Sequence, residues 1–408
     1  MLIMKHIHRR HILLLALFVS IIVFKIVACL GVFYTHTIYP LIANILSHIT
    51  SYVPLPLGDI FITASLLEII AYPTYQIAYK QRQWKHIVLH VVEYLAWVYV
   101  WFYAAWGLNY SQPNIYERMN IQPVEASALT FRKFAYQYAD SLNATYERNV
   151  QEQKCDGESC KLATGDINKT FKERVHKVVL NGYSNIDSHG MAMGINHPFN
   201  HCNPAKTMLF SGLSTMVGVT GSMAPFLSEF TLNADLQSHE YATTYAHEYA
   251  HFLGIANEGE ANFYSYVVCT ASKDNAVRFS GYYHIFFHML ANVKTLLGEG
   301  EYEAYVSRIH PDIIRLAHHD SDYWLSRRNR MLDSAQNVVY NLYLRGNRVE
   351  GGTKSYSGVI GIIMAWEFAQ NMKKKSTGKK ERTQCHRMGL ALLDYYSFLG
   401  NNSFTYIR

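Results

Sequence analysis

The chain has 408 residues, enough for two or three structural units with a buried core. Its net charge of +6 forms no basic stripe with interleaved aromatics, so nucleic acid is excluded as the expected partner, and six cysteines are too few for a disulfide scaffold. With 50% hydrophobic, 14% aromatic and only 17% charged residues, yet a mean hydropathy near zero, any membrane part has to be concentrated in one region.

That region is the N-terminus. Apolar runs over His11–Tyr34, Gly58–Tyr79 and His86–Leu108 each approach or exceed the roughly 20 residues that cross a bilayer. A cleaved signal peptide fits the first run poorly, because the run is too long and no small-x-small site follows. Lys5, Arg9 and Arg10 precede the first run, Lys80, Arg82 and Lys85 lie between the second and third, and Thr35–Leu57 has no Lys or Arg. The positive-inside rule therefore predicts a cytoplasmic N-terminus, three crossings, and everything after Asn109 outside. Lys25, Glu68 and Glu93 fall inside the runs. Such charges usually face a partner, and similar depth suggests a Lys25–Glu68 pair, the alternative being that each snorkels separately.

Beyond Asn109 the pattern is mainly helical. Thr130 to Val178 reads as amphipathic helix interrupted by "KCDGESCK", where Cys155 and Cys160 close a short loop and are expected to be bridged outside the cytoplasm. Asn181 to Thr220 is rich in Gly, Pro and Asn and reads as loop with short strands, and Pro225–Leu236 as one strand. After Leu236 the chain reads as helices, broken by the basic stretch Lys373–Gln384 before a last short helix. The expected division is a membrane anchor over 1–109, an extracytoplasmic domain over 110–372, and a basic loop with C-terminal helix over 373–408.

The chemistry is concentrated in "YAHEYAHFLGIANEGEAN", Tyr245 to Asn262. On a helix over Ser238–Leu253, Ala242, Tyr245, Ala246, Tyr249 and Leu253 form one stripe, with His247 and His251 opposite, one turn apart. Two imidazoles so placed can meet one Zn²⁺, while Glu248 is turned toward bound water. Gly254 is where a helix cap is expected. Asn257 is a good N-cap for a second helix, and Glu260, three residues on, is where a capping box places its glutamate. That leaves Glu258 as the expected third ligand, with Glu260 the alternative, and Asn262, one turn later, as acceptor for the outer nitrogen of a ligand histidine.

"HEYAHFLGIANEGEAN" resembles the gluzincin peptidases, in which HExxH is followed by E-x-x-(small)-(Asp/Asn) on a second helix. Glu258, Ala261 and Asn262 match that spacing, with Asn262 where aspartate is commoner and a shorter connection than in thermolysin. Over roughly residues 10–372 the chain also resembles the uncharacterised "domain of unknown function 3810" family, through "PLPLGDIF", "WGLNY", "GVTGSMAPF", "EANFYSYVVC", "FSGYY" and "YLRGNRVEGGTKSYSGVI". The resemblance implies membrane-anchored, zincin-like bacterial proteins. The expected fold is thus mainly α, three N-terminal transmembrane helices followed by a mostly helical zincin-like metallopeptidase domain with a small β element.

The expected function is zinc-dependent hydrolysis of peptide bonds on the periplasmic side of the bacterial inner membrane, with the bilayer and a peptide or protein substrate as partners. Glu248 would be the catalytic base, and "EFTLNAD" (Glu229–Asp235) the edge strand receiving an extended substrate. Tyr282, Tyr283, His284 and Tyr356 are candidate transition-state donors. His239–Glu240 lacks its second histidine at Thr243 and is set aside, and His318, His319, Asp320 and Asp322 read as a solvated helix face. A zinc hydrolase of cell-wall amide bonds and an inactive, metal-stabilised membrane scaffold are the competing readings.

Overall fold

The first apolar run does not fold as one helix. In the computed structural model, which describes residues 9–125, 127–152, 167–189, 193–199, 204–334, 336 and 358–373, a helix over Arg9–Ile26 stops at Val27. Val27 is extended (φ −93°, ψ 101°), a conformation that suits a β-branched residue, and a new helix starts at Ala28. That helix continues to Ser51. It widens into a π turn over Tyr34–Ile38 just ahead of Pro40, which has no N–H to give the carbonyl one turn back.

Three helices are long and apolar enough to cross a membrane by length and composition: Ala28–Ser51, Leu57–Ala78 and Trp84–Ala105. The Arg9–Ile26 and Trp84–Ala105 helices lie side by side in the same direction. Arg10 Nε is 2.9 Å from Glu93, Phe18 stacks on Tyr99, and Lys25 Nζ donates to the Tyr103 hydroxyl at 3.1 Å. Leu57–Ala78 runs antiparallel to Trp84–Ala105, with Tyr94 donating to Ser65 and Tyr72 against His90. The expected Lys25–Glu68 pair is therefore corrected: Lys25 faces Tyr103, and Glu68 is exposed on the other helix.

The rest is mainly helical around one small sheet. β1 (Lys206–Thr207), β2 (Gly221–Ala224) and β3 (Glu229–Leu232) stand in the order β1-β3-β2, with β1 parallel and β2 antiparallel to β3. The strand expected over Pro225–Leu236 shrinks to β3, because Pro225 to Ser228 make the turn from β2, with Ser228 at φ +47°.

A largely buried helix, Ser238–Phe252, packs against β2 and β3 and against the helices Lys169–Ser184, Glu258–Thr270 and Asn275–Leu297. Its Ala/Tyr stripe meets Phe230 of β3, which lies against Tyr245 and Tyr249, while Tyr183 donates to the carbonyl of Ala246. A box formed by Gln237 and Glu240 caps its first turn. Cys155, Cys160, Tyr356 and nearly all of 373–408 lie outside the described residues.

Candidate metal centre

The Ser238–Phe252 helix presents His247 and His251 one turn apart, and the chain then reverses within five residues. Gly254 makes this possible. At φ +98° it takes the left-handed conformation after the helix end, and it lies so close to Asn109 and the Tyr39 ring that an added Cβ would press on both. Asn257 accepts from the backbone N–H of Glu260 at 3.1 Å and starts the return helix, Glu258–Thr270. Glu258 is its first residue, where the helix dipole favours a carboxylate.

This places three donor atoms around one point. Glu258 Oε2 lies 3.1 Å from His247 Nε2 and 3.4 Å from His251 Nε2, and the two imidazole nitrogens are 3.1 Å apart. The outer ring nitrogens face acceptor-only oxygens: His247 Nδ1 donates to Asn262 Oδ1 at 2.8 Å and His251 Nδ1 to the carbonyl of Ile255 at 2.6 Å. Both Nε2 lone pairs are thereby turned to the shared point. Two imidazole nitrogens and a carboxylate crowded this closely favour a positive charge among them, supplied by a proton or by a metal ion. The donor set therefore fits a Zn²⁺ ion with one position left open. The local field agrees. Burial opposes charge on His251, but Glu258 and Glu248 outweigh it and push its pKa up to about 9. Glu258 is held well below the usual carboxylate range by the two histidines, although burial works the other way.

Glu248 points elsewhere, toward β2. Burial raises its pKa, opposed by His247, His251 and a hydrogen bond from the backbone of Met223. Gly221 makes room for it, since a Cβ there would sit 2.5 Å from Glu248 Oε1. A cleft of about 710 Å³ opens over this group, and its walls include Trp106, Tyr110, Gly221, Met223, His284 and Arg328. The strand on that wall is β2. β3 is the middle strand of the sheet, so the expectation that Glu229–Asp235 is the edge is corrected.

Glu260 is directed away from the histidines. Its carboxylate accepts from the backbone of Ile115 at 2.9 Å and from Arg118 Nη2 at 2.6 Å, a buried ion pair, instead of reaching back to its own helix start. Tyr283 is also elsewhere: its hydroxyl donates to Asp320 at 2.5 Å. Tyr282 packs on Tyr138 and Tyr266. His284 does reach the cleft, where its Nε2 lies 2.9 Å from Asn262 Oδ1, and burial together with His288 and His247 pushes its pKa down to about 3.

Asp320 is not on a solvated face. It is buried and accepts from His239, Tyr283, Gln237 and His319. His239, Glu240 and Asp320 have donor atoms close enough for a second metal, but four donors already fill the Asp320 carboxylate. Arg118, Gly221 and Trp106, whose indole N–H donates to the carbonyl of His251 at 2.9 Å, carry no local sequence signal for these roles. Their partners are far away along the chain or, for Gly221, a side chain with no regular spacing from it.

The family described as "Protein of unknown function (DUF3810)" matches residues 34–364. Comparison with curated proteins returns no match, and neither does comparison with solved structures.

Proposed function

This chain belongs to the DUF3810 family, whose description carries no activity, and we propose from the site alone that it is a membrane-anchored, zinc-dependent metallopeptidase with a zincin-like domain, acting outside the cytoplasm. One observation carries this reading: His247, His251 and Glu258 converge on a single point while Glu248, the remaining carboxylate of the helix motif, stands beside an edge strand in the same cleft.

His247, His251 and Glu258 would hold Zn²⁺, which when bound lowers the pKa of a water molecule toward 7 and polarises a carbonyl. The chain supplies the rest. Asn262 fixes the His247 ring. Glu248, whose burial raises its affinity for a proton, is placed to take one from the attacking water and return it to the leaving amine. The outer edge of β2 offers backbone groups to an extended peptide, laying it across the face of Glu248. Tyr110 and Arg328, both on the cleft wall, are the polar side chains we assign to the developing oxyanion, in place of Tyr283. The outward orientation rests on Lys80, Arg82 and Lys85 lying at the same end of the membrane helices as Arg9 and Arg10.

The test is peptide hydrolysis by the full chain against a mixed peptide pool. Glu248→Gln is expected to lose about 10²–10⁴-fold in rate while keeping its metal. Cleavage by Glu248→Gln at the wild-type rate, or none by the wild type, overturns the proposal.

A further inference from the structure

We infer that the substrate is a polypeptide anchored in the same membrane and cut within a few residues of the bilayer surface, an inference that rests on the peptidase reading above. The sequence of contacts from the metal centre to the membrane helices carries it. Trp106, the first residue after the Trp84–Ala105 helix, donates its indole N–H to the carbonyl of His251 at 2.9 Å. No linker separates a proposed zinc ligand from the anchor.

The substrate edge makes the same connection. β2 begins at Gly221, against Glu248. It ends at Ala224, which lies so close to Gly58, the second residue of the Leu57–Ala78 helix, that a Cβ on Gly58 would come within 2.3 Å of it. The next turn rests on the membrane helices themselves. Phe226 packs on Phe61 with ring centroids 4.8 Å apart, and its carbonyl accepts from the Trp101 indole at 3.0 Å. Tryptophan with a polar contact at the end of an apolar helix is characteristic of the membrane–water boundary. From Gly221 to Ala224 is three residue steps, so a strand added to β2 covers only about 10 Å between the base and that boundary.

The Ala28–Ser51 helix sets the same level. It is long enough to cross a membrane, yet it touches the domain along its length. The carbonyl of Thr35 accepts from Asn196, the Tyr39 hydroxyl donates to the carbonyl of Phe252, and the carbonyl of Thr50 accepts from Lys206. Those contacts extend over about 22 Å of helix, so it lies against the domain instead of crossing. Its opposite stripe, Leu41, Ile45 and Ile49, is 64%, 61% and 56% exposed, and no Asp, Glu, Lys or Arg occurs from 26 to 58. This stripe connects directly to the apolar Arg9–Ile26 helix before it and to the Leu57–Ala78 helix after it, and its occupant is the acyl boundary of the outer leaflet. Just after Leu209, whose N–H donates to the Asp59 carboxylate, Phe210 and Leu213 are likewise exposed.

A peptide lying along β2 thus leaves the cleft at its Ala224 end into the bilayer surface. A soluble folded protein would have to push an extended strand into lipid to reach it. A membrane-anchored chain arrives there already tethered, at high effective concentration.

The test uses the full chain loaded with zinc in phosphatidylethanolamine–phosphatidylglycerol vesicles. The probe is a polypeptide with a membrane anchor of about 20 apolar residues and a randomised soluble tail, compared with the same tail lacking the anchor. Cuts located by mass spectrometry are expected within about five residues of the anchor. The anchored probe is expected to be cut at least about tenfold faster than the free tail. Equal rates for the two probes, or cuts spread along the tail, overturn the inference while leaving the peptidase reading standing. If the wild type cuts neither probe any faster than Glu248→Gln, both fall together.

Discussion

Asn262 receives two imidazoles on one oxygen, His247 from the candidate metal centre and His284 from the Asn275–Leu297 helix. Removing that acceptor frees the His247 ring to turn. Asn262→Ala should weaken zinc binding by about 10–100-fold in a chelator titration with the fold retained, and unchanged affinity would contradict its orienting role. Glu260 belongs to a different interaction. Glu260→Ala strands the buried Arg118 guanidinium and should cost about 3–5 kcal/mol in unfolding experiments, while the folded fraction keeps its zinc. Loss of zinc from a folded Glu260→Ala protein would mean that the two glutamates have been assigned the wrong way round. Tyr283→Phe removes only a hydrogen bond to Asp320, so it should lower stability by about 1–3 kcal/mol and leave peptide hydrolysis unchanged; a large fall in rate would restore Tyr283 to the reaction. The different directions taken by Glu258 and Glu260 were legible in the chain, since an Asn cap at 257 puts 258 at the start of a helix facing back along the first. Glu260's actual partner was not, because Arg118 stands 142 residues earlier and no local periodicity records it.

Among the elements, the histidine-bearing helix was the easiest to read. Its Ala/Tyr stripe repeats at the helical period and its cap residues sit at both ends. The sheet was harder. "EFTLNADL" alternates enough to read as a strand, but which strand lies at an edge depends on pairing across the chain, and β2, "GSMA", is four residues with no apolar alternation. Gly221→Ala tests the edge directly. The added methyl displaces the Glu248 carboxylate, so hydrolysis should fall well below wild type with zinc content unchanged, and full activity would remove β2 from the site. The first apolar run misled for a related reason. Length and hydropathy report that a segment tolerates lipid, and they do not register a break at Val27 or the contacts that Tyr39 and Thr50 make with the domain. A fluorophore at Ile45→Cys should be quenched by brominated lipid, whereas an unquenched probe would take the Leu41–Ile45–Ile49 stripe out of the bilayer.

At the scale of the molecule, anchor and domain are packed as one body. Phe199 and Met223 pack against both the large domain core and the smaller cluster that includes Ile21, Tyr39, Tyr103 and Trp106. The cleft is therefore held at a set height above the membrane helices, with no flexible stalk between them. That arrangement was partly legible, since "WGLNY" follows the third apolar run with no linker composition, but the contacts that fix it join residues far apart in the chain. The proposed activity depends on a metal held by His247, His251 and Glu258. The most direct measurement is the metal content of the purified full chain beside its variants. About one zinc per chain is expected in the wild type and in Glu248→Gln, and little or none in His247→Ala and Glu258→Gln. A wild-type protein that carries no zinc and takes up none when it is supplied would contradict the account.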